Sequence, residues 1–459
     1  MELEGDPISV YFDDSLPTLV DVVVEHVGSD YLASGVVLRD TTGRLAFFGA
    51  TSLEASIYAT LSQDLRQRLG AYARTDRVLA GPDDFGAARV LSDSTVVQVP
   101  MGGRRIRLVD RRLVGGDWQR QPASAAPLPA RFAFASLKGG VGRSTALAVV
   151  AADLAAQGLR VLAIDLDIEA PGLGPMLLND DSLPEFGVLD ALVEHGLAGL
   201  DEPFLADLIG PSLLANRRGR IDVIPVLGKR SLRHPADVLA KIARAYAEDV
   251  GENGAVATFL DQVRALVDDF ATSNRYDAIL VDARAGLHET TASSLMGLGA
   301  EVFVFGRDEP QTFQGFRVLL AHLARFVDAG GPPPEWLARL TLVQGQAPSK
   351  ADERVAFAEK CRDLVAEAGL GPPVVASRPP LVPSSFGDIP WDDEAPDEEV
   401  IPNEEWGLRD PLVVLDDSRF RGFDPKVRPD LLDVRLYQSS FEPLLEQVRN
   451  CLTRDGAEI

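Results

Sequence analysis

The residues best suited to chemistry form one glycine-rich run. In order, the run reads Lys138, Gly139, Gly140, Val141, Gly142, Arg143, Ser144 and Thr145. Glycine lets the backbone approach a ligand closely, so that successive N–H groups converge on an anion. A hydroxyl that directly follows a cation is suited to bind Mg²⁺. The run therefore predicts a nucleoside triphosphate cradle, in which all eight residues bind the nucleotide and Ser144 also binds the metal.

The elements on either side of this loop favour a phosphate site. An apolar strand at 132–136 precedes the loop, and a helix at 145–157 follows it. A helix N-terminus offers partial positive charge and unpaired N–H groups, both of which bind phosphate. A chance glycine-rich turn is the competing interpretation, and the strand–loop–helix order argues against it.

Aspartates stand at the ends of two further apolar strands. One strand ends at Asp165, with Asp167 and Glu169 just after it, and the other ends at Asp282. The carboxyl ends of parallel strands meet at one edge of a sheet, so carboxylates there are well placed for metal chemistry beside a phosphate loop. Asp282 has the form of a Walker B aspartate, which holds Mg²⁺ through water. A solvated loop carboxylate is the alternative for Asp165 and Asp167, and Glu169 is interpreted as solvated or as an acceptor within its loop.

Apolar strands and amphipathic helices alternate over the larger part of the chain. Strands are predicted at 132–136, 161–165, 221–225, 278–282, 302–305 and 340–343. Buried apolar strands separated by helices indicate a mostly parallel sheet flanked by helices. The predicted fold class is therefore α/β, a P-loop NTPase preceded by a small α+β domain.

The predicted domain boundaries follow shifts in pattern and composition. Residues 1–122, with hairpins at 34–48 and 96–109 and a helix at 61–72, form the small accessory domain, and the Pro- and Ala-rich stretch 123–130 is a linker. The P-loop domain occupies 131–459, with a helical insertion at about 229–272, an acidic irregular segment at about 386–432 and a closing helix at about 433–452. Within the insertion, helices are predicted at 235–247 and 256–270. The apolar face of the closing helix lacks the basic flank of a membrane helix, which indicates core packing.

Composition excludes several classes of protein. The formal net charge of −24 disfavours nucleic acid and anionic lipid as partners. The densest basic cluster, interpreted as a solvated strand face, comprises Arg104, Arg105, Arg107, Arg111 and Arg112. No apolar run is long enough to span a membrane, and no secretory leader is visible. Two cysteines, Cys361 and Cys451, are predicted core residues, so we expect a reducing, cytoplasmic setting.

The loop and its neighbours resemble the deviant Walker A motif, KGGxGK[ST], of the ParA/MinD ATPases, which belong to the SIMIBI class of P-loop proteins. The resemblance runs from about residue 131 to the chain end and is most specific at 138–145 and 161–174. It implies ATP and Mg²⁺ as ligands and a nucleotide-dependent homodimer in which Lys138 reaches the nucleotide of the other subunit. It further implies that Asp167 positions the attacking water and that Asp165 lies near the metal, which completes a predicted metal set of Ser144, Asp165 and Asp282.

Position 143 departs from the family pattern, because arginine replaces the second lysine. A lysine ammonium is a compact point charge, whereas a guanidinium is planar and bidentate. Arg143 can still donate charge-assisted hydrogen bonds worth about 1.5–3 kcal/mol each, but its geometry at a transferring phosphate differs. A variant branch of the family carries KGGVGR. We therefore predict firm nucleotide binding with slow hydrolysis, and Lys138, Asp167 and Arg143 are the predicted catalytic residues.

The remaining site assignments are less specific. Arg284 and Gly286, which follow Asp282, are candidates for sensing the γ-phosphate, whereas His288 and Glu289 are interpreted as an exposed helix start.

The base pocket follows a different sequence pattern from the family. The family places an asparagine and a proline-bearing loop around adenine. Here the last predicted strand leads into Gln344, Gly345 and Gln346, and Pro383 or Pro390 would supply the loop. The choice of ATP over GTP therefore depends on the resemblance.

Three functions are compatible with the sequence. The first is an ATPase that acts as a nucleotide-switched dimer and regulates a protein partner, with residues 1–122 as a partner-binding module. The second is an ATP-binding scaffold without turnover. The third is a partitioning or positioning ATPase, against which the acidic charge and the closing helix both argue.

Overall fold

The computed structural model describes residues 10–197, 199–214, 218–250, 256–272, 274–328, 331–371 and 408–454. The chain divides into two units, Met1–Gln121 and Pro122–Ile459, each with its own sheet and buried core. Most of the predicted acidic segment, up to residue 407, lies outside the described residues, as do Pro383 and Pro390. None of the described helices combines the length and the apolar character needed to cross a membrane.

The first unit is a five-stranded sheet with helices, in the strand order β3-β2-β1-β5-β4. Its elements are α1 (Phe12–Val27), α2 (Ser29–Ser34), β1 (Val36–Arg39), β2 (Leu45–Phe48), α3 (Ala55–Leu69), β3 (Leu79–Ala80), α4 (Ala87–Leu91), β4 (Val97–Met101) and β5 (Arg104–Asp110), with 3-10 turns at Gly70–Tyr72 and Asp117–Gln119. Both predicted hairpins are present as antiparallel pairs, β1 with β2 and β4 with β5. The sequence did not predict α1, which packs Leu16, Leu19 and Val23 into the same core as Leu61 and Leu65 of α3.

The basic cluster of this unit is largely occupied by local acceptors. Arg107 donates to the backbone carbonyls of Ser34 and Leu91 at 3.2 and 3.1 Å. Arg111 pairs with Asp93 at 2.5 Å, and Arg112 pairs with its neighbour Asp110 at 2.8 Å. The cluster therefore presents less positive charge for binding than the count of arginines suggests.

The second unit is built on an eight-stranded sheet. Its strands are β6 (Ala130–Ser136), β7 (Arg160–Asp165), β8 (Gly210–Pro211), β9 (Arg220–Ile224), β12 (Ala278–Ala285), β13 (Glu301–Gly306), β14 (Leu340–Ala347) and β15 (Leu412–Leu415), while β10 (Asp249–Val250) and β11 (Val256–Ala257) form a separate antiparallel pair. The order is β15-β14-β13-β6-β12-β7-β9-β8, and every neighbouring pair is parallel except β8 with β9. The predicted α/β class and parallel sheet are confirmed.

Helices connect these strands. They are α5 (Arg143–Ala156), α6 (Leu173–Leu177), α7 (Val188–His195), α8 (Glu202–Ala206), α9 (Lys229–Arg233), α10 (Val238–Ala245), α11 (Phe259–Thr272), α12 (Glu289–Ala292), α13 (Pro310–Leu323), α14 (Glu335–Ala338), α15 (Ala351–Glu367) and α16 (Val434–Arg454), with a π turn at Ser293–Gly297 and 3-10 turns at Pro235–Asp237, Ala324–Phe326, Ser418–Phe420 and Pro429–Leu432. The predicted helix at 256–270 begins only at Phe259. Thr258 and Asp261 exchange side-chain and backbone hydrogen bonds there, which is a capping box, and β11 precedes it.

The central strands explain where the site lies. Every residue of β6 is buried, as expected for a strand covered on both faces, and β6 lies between β12 and β13. β7 pairs with the other edge of β12. The carboxyl ends of β7, β12 and β6 therefore lie side by side, and they bring the glycine-rich loop next to Asp165 and Asp282.

The closing helix α16 packs in the core, as its apolar face predicts. Phe441, Leu444 and Val448 are buried in the same cluster as the apolar face of α5, the helix that follows the glycine-rich loop. Cys361 and Cys451 are both buried free thiols, as predicted.

A buried carboxylate ties α16 to α5. Asp153 of α5, 2% exposed, accepts from the Tyr437 hydroxyl at 3.1 Å. The guanidinium of Arg449 donates to its two oxygens at 2.9 and 3.0 Å. Burial raises the pKa of Tyr437, and the neighbouring Asp153 raises it further, so the phenol remains a donor.

We expect Arg449→Ala to lower the free energy of unfolding by about 2 kcal/mol, because a buried carboxylate loses its charged hydrogen-bond donors. Arg435→Ala is the matched control, since Arg435 lies on the same helix and pairs with Asp433 but is 85% exposed. Urea unfolding followed by circular dichroism measures both variants. Equal midpoints for the two would contradict the role assigned to Asp153.

Candidate functional site

The glycine-rich loop connects β6 to α5 and is open to solvent at its tip. Gly139 and Gly140 are exposed, while Val141 is buried in the core beneath them. Gly140 and Gly142 have φ angles of 75° and 87°, in the left-handed region that favours glycine. The loop therefore takes the conformation that requires its glycines, and it presents the start of α5 to solvent.

Arg143 is the centre of the site. Its side chain is 8% exposed, and Nη2 donates to Asp167 Oδ2 at 3.0 Å. Its Nε lies 2.6 Å from Asp282 Oδ1. Burial lowers the pKa of Arg143, but the carboxylates of Asp282 and Asp167 outweigh burial and leave it above its ordinary value. The guanidinium is thus a permanent charge between two carboxylates from different strands.

Ser144 and Asp282 are already in contact. The Ser144 hydroxyl donates to Asp282 Oδ2 at 2.6 Å. Burial raises the pKa of Asp282, and the charge of Arg143 opposes that rise. Both side chains lie beside the guanidinium, so the structure brings together four of the predicted residues: Arg143, Ser144, Asp167 and Asp282.

Asp165 has a different environment from the other carboxylates. It is fully buried, and Oδ1 accepts from the backbone N–H of Asp167 at 3.1 Å. Oδ2 accepts from the backbone N–H groups of Gly172 and Leu173 at 3.0 and 2.9 Å. Burial and then the charge of Asp282 raise the pKa of Asp165 to about 7, against the effect of these hydrogen bonds. Asp165 therefore shapes the loop that carries Asp167, and direct metal binding by Asp165 stays a prediction.

One nitrogen of the guanidinium, Arg143 Nη1, is buried without a hydrogen-bonding partner among the described residues. Arg143 Nε and Asp282 Oδ1, 2.6 Å apart, satisfy each other as an ion pair. Buried polar groups in proteins are nearly always satisfied, so an unpartnered donor is a reason to expect a ligand. A free guanidinium donor suits a phosphate oxygen, and the Ser144 hydroxyl beside the Asp282 carboxylate suits Mg²⁺. The residues present therefore fit a nucleotide with Mg²⁺.

A Mg²⁺ ion at this site would require oxygen ligands beyond the carboxylates of the protein. Within the described ranges, no group of three His, Cys, Asp or Glu side chains is arranged to hold a metal ion. Mg²⁺ usually keeps several waters and binds one or two carboxylates together with substrate phosphates. Ser144 and Asp282 are consistent with that kind of site.

Lys138 contacts a residue that the sequence analysis missed. Its Nζ donates to Glu309 Oε2 at 2.5 Å, and the side chain is 40% exposed. The Lys138 hydrogen bond lowers the pKa of Glu309. Glu309 precedes α13, just beyond the end of β13, and β13 lies next to β6. Knowledge of that strand order would have identified Glu309, but sequence does not give the order.

A pocket opens beside the end of the loop. Gly142, Thr145, Gln346, Asp416 and Phe420 line it. Gln346 adopts a φ of 49° at the end of β14, an unusual angle for a residue other than glycine. The predicted base-contacting segment at 344–346 thus reaches the loop. The edge strand β15 brings Asp416 and Phe420 there, which the sequence analysis did not predict.

The segment after Asp282 is fixed mainly through its backbone. The Gly286 N–H donates to Ser136 O at 2.8 Å, and the Thr291 hydroxyl donates to Gly286 O at 2.6 Å. The Arg284 side chain instead donates to Glu169 at 2.7 Å. His288 caps the N-terminus of α12, in agreement with its interpretation as a helix start. Burial of the imidazole and the charge of Arg284 lower the pKa of His288.

Comparisons with known proteins agree with this geometry. Residues 132–302 match the model of the CobQ/CobB/MinD/ParA nucleotide binding domain, which covers β6 through the start of β13. No curated protein sequence matches the chain.

Several solved structures are similar to the chain. The MinD cell division protein of Aquifex aeolicus is 15% identical, with a TM-score of 0.39, over 72% of this chain and 98% of its own. The septum site-determining protein MinD of Pyrococcus horikoshii OT3, complexed with Mg-ADP, is 14% identical, with a TM-score of 0.40, over 72% of this chain and 99% of its own. A ParA family ATPase from Chlorobium tepidum TLS is 19% identical, with a TM-score of 0.35, over 52% and 81% respectively.

The contact between the loop and 344–346 provides a test of the site. A Cβ at Gly345 would lie 2.2 Å from the Val141 carbonyl, so Gly345→Ala must displace the loop. We expect ATP affinity to fall roughly tenfold, the effect of about 1.4 kcal/mol of overpacking. Gly371→Ala, where the nearest contacts are ordinary at 3.8 Å, is the control. Titration with a fluorescent ATP analogue measures both variants, and identical affinities would argue against this location for the nucleotide.

Proposed function

Because residues 132–302 form a CobQ/CobB/MinD/ParA nucleotide-binding domain, we propose that the protein is an ATP- and Mg²⁺-dependent switch that dimerises and regulates a protein partner. The observation that carries this proposal is the cluster of Arg143, Ser144, Asp167 and Asp282 at the end of a glycine-rich loop. Hydrolysis is expected to be slow, and it resets the switch.

Nucleotide binding starts at the loop. The exposed glycines and the N-terminus of α5 present N–H groups and partial positive charge to the phosphates. Arg143 has one unpartnered nitrogen, Nη1, that can donate to a phosphate oxygen while Nη2 still holds Asp167. Ser144 and Asp282 would hold Mg²⁺, which neutralises charge on the phosphates when it is bound.

Arg143 also explains why we expect slow turnover. Asp167 is the residue that the family resemblance assigns to the attacking water, and in the structure its Oδ2 accepts from Arg143. A carboxylate that is bound to a guanidinium is a weaker acceptor for a water proton. Full activity therefore requires Arg143 to transfer from Asp167 to the phosphates, at the cost of a charge-assisted hydrogen bond. Lysine, with a shorter side chain and a single charged nitrogen, would bridge the two carboxylates less well.

A second copy of the chain completes the proposed site. The family resemblance implies that Lys138 reaches a nucleotide on the other subunit, and here Lys138 is bonded to Glu309 instead. That pair is exposed, and solvent screens it, so it restrains Lys138 only weakly. Lys138 is therefore available for a phosphate across an interface.

The partner is proposed to be a protein. The net charge of −24 opposes binding to nucleic acid or anionic lipid over most of the surface. The amphipathic face of α16 is buried in the core and is therefore not available to insert into a membrane. The unit Met1–Gln121 has a core of its own and is the proposed partner-binding module.

We expect ATP to double the mass of the wild-type protein in solution and Lys138→Ala to remain a monomer at the same ATP concentration. The physical reason is that, in the variant, no lysine from the other subunit neutralises the negative charge of the triphosphate at the interface. Lys350→Ala, an exposed lysine paired with Glu353, is the control and should dimerise normally. Multi-angle light scattering gives the mass, and an unchanged wild-type mass with and without ATP would rule out the switched dimer.

We expect Arg143→Lys to release phosphate from ATP roughly tenfold faster than the wild type, because Asp167 is freed from a bidentate cation. Asp167→Ala sets the background rate, and Arg160→Lys, an exposed arginine paired with Asp277, controls for the exchange itself. The measurement is single-turnover phosphate release. Rates at the Asp167→Ala background in both the wild type and Arg143→Lys would instead favour an ATP-binding scaffold without turnover.

A further inference from the structure

Glu169 joins three separate parts of the second unit. It lies in the loop after β7, and its Oε1 accepts from Arg284 Nη1 at 2.7 Å and from the Tyr246 hydroxyl at 2.6 Å. Arg284 lies near the end of β12, and Tyr246 follows directly after α10. One carboxylate oxygen therefore links the loop of Asp167, the strand of Asp282 and the helical insertion.

Aromatic rings surround the tyrosine of this triad. The Tyr246 ring packs against Phe259 and His288, with ring centroids 5.5 and 5.3 Å away. Burial raises the pKa of Tyr246, and the hydrogen bond to Glu169 raises it further, so the phenol stays a donor. Arg284 and Glu169 form an ion pair at 2.7 Å beside it.

Residues 238–250 of the insertion bury few side chains. Ala245 is the one buried residue of α10, and Leu239 is 78% exposed. Polar contacts supply the other ties: Lys241 donates to Asp190 at 2.5 Å and to Ser231 at 3.0 Å, Gln262 donates to the Ala247 carbonyl at 3.1 Å, and His195 pairs with Asp249 at 3.3 Å. A segment with few buried contacts opens at low free energy, so loss of a single hydrogen bond changes its local stability measurably.

Arg284 can exchange its carboxylate partner for a phosphate. It is two residues beyond Asp282, its own backbone carbonyl is held by Thr291 at 3.3 Å, and its side chain is 28% exposed. A phosphate offers a guanidinium more charge and more acceptor oxygens than a carboxylate does. A triphosphate at the loop and Glu169 therefore compete for the same side chain.

We propose that Glu169 is a positioning residue that holds Arg284 in the absence of ATP, and that ATP draws Arg284 away. Glu169 then loses the cation that fixes its side chain, which weakens its hydrogen bond to Tyr246 and its hold on residues 238–250. The inference rests on the proposed function and adds the element that reports the bound nucleotide, namely residues 238–250. The γ-phosphate supplies the difference between ATP and ADP, because a ligand shifts an equilibrium only by its differential contacts.

Hydrogen exchange of residues 238–250 tests the release. In the wild type, ATP should speed exchange there roughly two- to fivefold relative to ADP, the range expected for losing a half-exposed charged pair. In Glu169→Gln and in Tyr246→Phe, exchange should already be fast and should not respond to the nucleotide. Tyr276→Phe removes another buried tyrosine hydroxyl bond, to Asp222 at 2.8 Å, and is expected to keep the wild-type response.

The ratio of ATP affinity to ADP affinity distinguishes a positioning role of Glu169 from a purely structural role. Glu169→Gln should raise the ratio of ATP to ADP affinity roughly two- to fivefold, because the competitor for Arg284 is weakened. Tyr246→Phe should leave that ratio unchanged, since the charged pair stays intact. An unchanged ratio in Glu169→Gln, together with wild-type exchange that does not respond to ATP, would overturn the proposal while ATP binding itself still stands. Failure of the wild type to bind ATP at all would instead overturn the proposed function.

Discussion

The site depends on one interaction, the contact of the Arg143 guanidinium with Asp167 and Asp282. Two buried or half-buried carboxylates from different strands would repel each other without a cation between them. Arg143 supplies that cation from the first turn of α5, at 3.0 Å from one carboxylate and within 2.6 Å of the other. The same side chain is thus the counter-ion of the two carboxylates and the proposed ligand of the phosphates. Under the proposed function, binding and turnover would be coupled because one guanidinium serves both purposes.

The parallel sheet is what makes this contact possible. β6, β12 and β7 are neighbours with the same direction, so the loop after β6 meets Asp282 of β12 and the aspartates at and just beyond the end of β7. Asp165 then fixes the path of the chain beyond β7 through three backbone N–H groups. These hydrogen bonds offset the cost of burying the Asp165 carboxylate, and they fix the loop that carries Asp167.

The sequence was sufficient to predict the features that depend on the local order of residues along the chain. Apolar strands, the glycine-rich loop and Asp282 are all readable along the chain, and the structure brings Ser144 and Asp282 into contact as the pattern implies. The strand predicted to end at Asp282 continues in the structure to Ala285. Contacts between distant segments were not readable. Glu309 and Tyr246 reach the site only through the order of strands and the path of the insertion, and neither leaves a local signature.

The pocket beside the glycine-rich loop and α10 show the same limit for different reasons. β15 is a four-residue edge strand within an acidic stretch, and short strands at a sheet edge carry little periodic signal. The predicted helix at 235–247 is instead a 3-10 turn at Pro235–Asp237 followed by α10, which ends at Ala245. Both elements take their positions from tertiary contacts, which a single sequence does not record.

Stability is distributed in a way that suits a switch. The helix after the loop, α5, is anchored through Asp153 to Tyr437 and Arg449 of the closing helix, so the glycine-rich loop rests on buried contacts. Residues 238–250 of the insertion, in contrast, bury few side chains and contact the loop after β7 through Glu169. Under the proposed switch, a ligand at the glycine-rich loop would therefore change residues 238–250 at low cost without disturbing the core, because a segment with few buried contacts opens at low free energy.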